Sequence, residues 1–232
     1  MVGGPDDEVA VTRLHVLKVF VGEHGAGGNP LGVFLEGSGI PEEDRQAVAA
    51  DLGFSETVFV DDAACGEVRI FTPGTELPFA GHPLVGTAWL LASEGIEAPT
   101  LRPPAGEVPV RFEGDLTFIS GRPEWAPGFE HFQLDSPTDV DALTGPPEGH
   151  DLAGAWAWED EAESRVRVRV FAPRVGVNED EATGAHAVRL AALLGREIRI
   201  RQGQGSLILA EPRSNGTVEI GGRTEPVEVR DY

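Results

Sequence analysis

The hexapeptide Val68–Pro73, VRIFTP, returns about a hundred residues later as Val168–Pro173, VRVFAP. Each copy runs through an acidic segment to a glycine, Gly81 or Gly184, and then into an Ala/Leu-rich stretch, Gly81–Leu91 or Gly184–Leu194. A strand, a glycine turn and a helix start used twice imply two similar halves facing each other. Such halves can aim two helix N-termini, each a natural anion site, at one cleft. The repeat therefore predicts a small-molecule site between the halves.

The rest of the chain fits around that unit. Period-two patterning predicts a first strand over Val9–Phe20, and a glycine loop from Gly25 closes at Asn29-Pro30 before a strand over Leu31–Leu35. Pro41–Leu52 has the proline, early acids and apolar spacing of a helix, stopped by Gly53. Ser55–Val60 reads as a strand carrying Glu56, and His82 or Pro83 to Ser93 as a helix. The Pro-rich Pro99–Gly106 is the candidate domain boundary, followed by a hairpin around Glu113-Gly114-Asp115 and a short helix at Asp139–Leu143. The alternating Arg165–Phe171 predicts a half-buried strand with a solvated basic face, with an anion-binding stripe as the other reading. Strands at Glu197–Arg201, Ser206–Leu209 and Thr217–Ile220 close the order. This is an α+β class: a mostly antiparallel, barrel-like sheet around a central helix, built twice. The expected domains are residues 1–104 and 105–221, with the strand at about 222–232 a candidate to pack back on the first.

Charge and rare residues exclude whole classes of function. A net charge of −21, from 39 acidic against 18 basic residues, repels a polyphosphate backbone and argues against nucleic acid. Lys18 is the only lysine, so Schiff-base chemistry has almost no candidate. Cys65 is the only cysteine, which rules out an intrachain disulfide, a two-thiol racemase and a cysteine zinc cluster. Metal-ligand spacings, a P-loop and a nucleophile elbow are all missing from the sequence. Met1–Glu8 lacks the basic start and apolar run of a secretory signal, and no run of about 18 apolar residues offers a membrane span. The expectation is a soluble cytoplasmic protein with no membrane partner.

Few residues are placed for chemistry. Glu56 stands among Phe, Val and Thr at the head of an apolar strand. Desolvation there would raise its pKa and suit it to take and return a proton; otherwise it is an edge-strand glutamate facing water. His82, between Gly81 and Pro83, lies at a helix N-terminus, where it caps and packs or donates to an anion held by the amides. Glu76 is a loop acid or a neighbour that tunes His82. In Asn178–Gly184 three acids precede a helix, a placement the macrodipole favours without any function. The functional reading makes Asp180 a partner for a substrate amine or hydroxyl, with amides near Thr183-Gly184 holding an anion. His186, further into this helix, reads as a core or surface histidine rather than a ligand.

Taken together, Gly28–Val33, Gly53–Thr57, Glu76–Pro83, Phe171–Gly184, Arg201–Gly203 and Gly221-Gly222 resemble, in order, the PhzF-like (phenazine biosynthesis-like) isomerases of the diaminopimelate-epimerase-like fold. The resemblance covers nearly the whole chain. It implies two pseudo-symmetric barrel-like domains, a site in the cleft between them and no cofactor or metal. It makes Glu56 the catalytic acid/base, with His82 and Asp180 lining the same site. Gly81, Thr183, Gly184 and Ala185 fall on the substrate-binding helix starts. Related racemases place a cysteine at each helix start; the matching positions here are Ala80 and Thr183. Where the family pattern has Pro and Ser, this chain has Glu181 and Ala185, and losing that hydroxyl would cost a matched substrate about 0.5–1.5 kcal/mol.

The expected activity is a cofactor-independent isomerase that moves a proton on a small conjugated or carbonyl-containing carboxylic acid, in secondary metabolism. A non-catalytic small-acid binding protein on the same scaffold, and a cyclase or epimerase, stay open because one scaffold hosts several chemistries. The resemblance allows a homodimer; the sequence does not show one.

Overall fold

A computed structural model of the chain describes residues 12–232. Met1–Glu8, with its expected lack of a signal, and the start of the strand predicted from Val9 lie outside the described residues. The first half runs β1 (Arg13–Val21), β2 (Asn29–Phe34), α1 (Glu42–Leu52), β3 (Glu56–Asp62), β4 (Glu67–Phe71), β5 (Glu76–Leu77) and α2 (Gly81–Ser93). β6 (Thr100–Leu101), β7 (Val108–Glu113), β8 (Leu116–Gly121), β9 (Glu130–Gln133) and α3 (Pro137–Asp141) lead into the second copy of the repeat. That copy is β10 (Ala153–Asp160), β11 (Arg165–Ala172), β12 (Val177–Asp180) and α4 (Gly184–Leu194), closed by β13 (Ile198–Gln202), β14 (Ser206–Pro212) and β15 (Val218–Asp231). No helix among the described residues is long and apolar enough to cross a membrane.

The two repeats fold alike. β4 pairs antiparallel with β3 and β11 with β10, and a short antiparallel strand, β5 or β12, folds back on each before the helix begins. The sheet is mostly antiparallel; β2–β3, β9–β10 and β11–β13 are parallel pairs. α2 and α4 are buried on nearly all sides, as a helix must be when a sheet wraps it. α1 lies outside the first sheet, against a second apolar cluster containing Phe34, Phe59 and Phe71. Gly53 ends α1 in the left-handed conformation at φ 66, which a side chain would strain. β15 joins the halves. Val218–Gly222 pairs with β8, and residues 223–231 run on to pair with β1.

Two local expectations change. The basic stripe of β11 is solvated only at Arg165: Arg167 is buried and bonds Asp141 at 2.7 Å, while Arg169 makes a two-pronged pair with Glu179 at 2.7 Å for each arm. α3 packs over Arg167 and Arg169 while β12 pairs beside β11, a tertiary arrangement that alternation cannot reveal. Glu76 neither floats free nor tunes His82; it is bound to the Arg69 guanidinium.

Candidate active site

Parallel pairing of β2 with β3 puts Leu31 opposite Glu56, so the two strands start at one edge of the sheet. Asn29, Ser55 and Glu56 gather at that edge. α2 begins close by, and His82 Nε2 lies 3.3 Å from Glu56 Oε2. The pair is close enough for an ion pair but poorly directed, and neither atom has a hydrogen-bond partner among the described residues. Asp180 arrives from the second half, at the end of β12. Asn29 Nδ2 donates to Asp180 Oδ1 at 2.7 Å and to the Ala182 carbonyl at 2.9 Å, and its Oδ1 accepts from Ser55. Thr183 Oγ1 donates to the other Asp180 oxygen at 2.6 Å, and Gln202 fastens Thr183 and the Asp180 carbonyl. The structure thus brings Glu56, His82 and Asp180 to one place, with Asn29 bonded to Asp180 and 3.4 Å from His82 Nδ1.

The two helix starts meet. A methyl built on Gly81 would lie 2.7 Å from Gly184 Cα, and one on Gly184 would lie 2.7 Å from Gly81 Cα. The glycines are there for close approach, not for unusual torsions. Ile220 of β15 packs against both positions. Ala80 and Thr183 are the residues just before the helices, and neither caps its helix through a side chain. The first-turn amides have no partner within their own helix. Ala80, Thr183 and Ala185 line a cavity of about 70 Å³ together with Glu56 and Asp180. A wider cleft of about 330 Å³ around Arg199 and Arg223 lies elsewhere, and its Arg223 is already paired with Asp115 at 2.6 Å.

Burial dominates the electrostatics. It pushes Glu56 up to about 8, helped by the negative charge of Asp180 and opposed by the neighbouring Ser55 side chain. Asp180 is also raised by burial, to about 6, against the hydrogen bonds from Thr183 and Asn29. Burial lowers His82 to about 3, only partly offset by the Pro30 backbone carbonyl, to which the ring donates. Nε2 has no partner, so the ring proton is assigned to Nδ1 and Nε2 offers a lone pair to Glu56. At neutral pH the site holds a protonated Glu56 beside a neutral imidazole.

These shifts make folding stability depend on pH. An acid whose pKa is higher folded than unfolded stabilises the fold at low pH, and that gain is lost as pH rises to the folded value. The contribution of Asp180 is spent by about pH 6, and the downward shifts of His15, His82, His131 and His186 act below pH 6.5. Between pH 6.5 and 8 Glu56 remains. Thermal melts across this window should show stability falling by on the order of 1–2 kcal/mol as pH rises. Glu56→Gln should flatten the slope; an equal slope in that variant would assign it to another group.

The three acids before α4 serve three ends. Glu179 pairs with Arg169, Asp180 enters the site, and Glu181 accepts from Gln204 N at 2.8 Å and Ser206 Oγ at 2.7 Å. Ser206 Oγ in turn accepts from Gly28 N, so Glu181 ties the β13–β14 turn to the loop that carries Asn29. His186 is a core residue, 3.1 Å from His131 and packed on Gly154. Cys65 is exposed. Asn29, Ser55 and Gln202 were the residues sequence reasoning left without roles. Each lies inside a quoted motif, which was the available signal.

A family model for phenazine biosynthesis-like proteins, PhzC-PhzF, matches residues 17–146 and 148–221. The chain belongs to this family. It is 32% identical over 224 residues to trans-2,3-dihydro-3-hydroxyanthranilate isomerase from Pseudomonas aeruginosa, covering 78% of this chain and 80% of that one. An uncharacterized isomerase from Pasteurella multocida is 46% identical over 81 residues, a stretch that spans 33% of this chain and only 28% of the relative. The crystal structure of a PhzF-family protein from Enterococcus faecalis superposes with a TM-score of 0.73 at 20% identity, over 96% of this chain and 99% of that one. The family is thus shown by sequence, and its two-barrel architecture by structure.

Proposed function

We propose that the chain is a cofactor-independent isomerase that moves a proton on a small carboxylic acid bearing a conjugated or carbonyl system. The observation that carries this reading is the largely buried Glu56 carboxyl, whose Oε2 has no hydrogen-bond partner and lies beside His82 where two helix starts without side-chain caps meet. Amides near Gly81, Gly184 and Ala185 hold the substrate's carboxylate and the charge that develops beside it. Glu56 takes a proton from a carbon next to the unsaturated system and returns it to another carbon on the same face. His82 Nε2 steadies the carboxyl while it carries that proton. Asp180, already engaged by Asn29 and Thr183, acts through its charge, which keeps Glu56 a strong enough base once it is ionised. The isomerases among its relatives support the reaction class.

The test is exchange. Incubated in deuterium oxide with small unsaturated carboxylic acids, the protein should place deuterium on a substrate carbon, read by proton NMR. The step begins with the ionised base, so kcat/KM should rise about tenfold per pH unit and level off above about pH 8, the value of the free Glu56. A flat profile would remove a group of that pKa from the rate. An acid that binds without exchange at any pH would mark the chain as a binding protein.

A further inference from the structure

The cavity's polar groups are few and spoken for. Thr72 Oγ1 donates to the Thr75 carbonyl and accepts from the amides of Gly74 and Thr75. Thr183 Oγ1 donates to Asp180 and accepts from Gln202. Ser55 Oγ donates to Asn29. Among the described residues no Arg, Lys, Asn, Gln or Tyr side chain lines the cavity. Acceptor capacity is left on Glu56, Asp180 and the adjacent Ser55 hydroxyl, close to the helix starts that would take the acid group. The remaining wall is hydrocarbon: Leu77, Phe79, Phe129, Leu152, Val170 and Val177 come from both halves, and the methyl of Ala185 continues it.

Resting on the reading of the helix starts as the acid's seat, we infer that the substrate's body, beyond reach of Ser55, Glu56 and Asp180, is a hydrocarbon that carries no hydroxyl or amino group. A polar group placed against this wall gives up its bonds to water and gains none. Each such group should weaken binding roughly 10- to 100-fold. The same wall gains from every buried methylene. The discrimination is built into the wall and does not depend on turnover.

Isosteric ligand pairs test this without knowledge of the natural substrate. Calorimetric titration of the full chain with 3-methylbenzoate against 3-hydroxybenzoate, and 4-methylbenzoate against 4-hydroxybenzoate, compares a methyl with a hydroxyl at constant shape. The expected result is a Kd at least tenfold lower for the methyl acid of each pair. A hydroxy acid that binds as tightly as its methyl partner, or failure of all four acids to bind, overturns the inference. Loss of deuterium exchange with the binding preference intact would instead overturn the proton-moving reading alone, so the two failures are distinguishable.

Discussion

Glu56→Gln should cut deuterium exchange into a bound carboxylic acid about 100- to 10,000-fold, the range expected for loss of a positioned acid/base. Gln keeps the length and shape of the side chain and can still face His82 Nε2, but it cannot accept a proton at accessible pH. The fold should persist, since Glu56 makes no ion pair with a permanent cation and its partner His82 is itself held neutral by burial. Affinity should persist as well, because the proposed seat of the acid group is backbone amides. Circular dichroism and calorimetry check both points alongside exchange. Undiminished exchange would take Glu56 out of the mechanism, whatever its pKa.

Gly81→Ala should both destabilise the protein and impair the site. The added methyl meets Ile220 Cδ1 at 2.6 Å and the Gly184 backbone at 2.7 Å, and backbone cannot rotate away as a side-chain tip can. Overpacking of this kind costs about 1–3 kcal/mol, and each kcal/mol lowers Tm by roughly 2–4 °C in a chain of this size. The helix starts would part by a fraction of an ångström to an ångström, and misplacement on the order of 1 Å can cost about 100-fold in rate. Gly74→Ala is the control, because a methyl there meets nothing within 4 Å and should change neither quantity. Equal melting of the two variants would show that the helix junction yields freely.

Much of this was legible from local pattern. Helix α1 starts after Pro41 and stops at Gly53 as read, because both signals act on their own residues' torsions. The repeat correctly announced two strand–turn–helix units. The solvated basic face of β11 held only at Arg165, for the opposite reason: period two reports which residues share a face, not what covers it. α3, which lends Asp141 to Arg167, lies 26 residues earlier in the chain. Glu76 failed likewise, since its partner Arg69 stands on the neighbouring strand.

The site divides along the same line. The sequence alone determined the presence of two glycine-led helices, an isolated carboxylate at the head of an apolar strand, and the lack of a second cysteine or a second lysine, since composition and spacing are properties of the chain itself. Only the tertiary structure decided that the helices touch at Gly81 and Gly184, and that Asn29 reaches Asp180 across 151 residues. It also decided that burial and the charge of Asp180 raise the Glu56 carboxyl far above the usual carboxylate range. A pKa depends on how much water and which charges surround a group, and those are known only once the chain has closed around it.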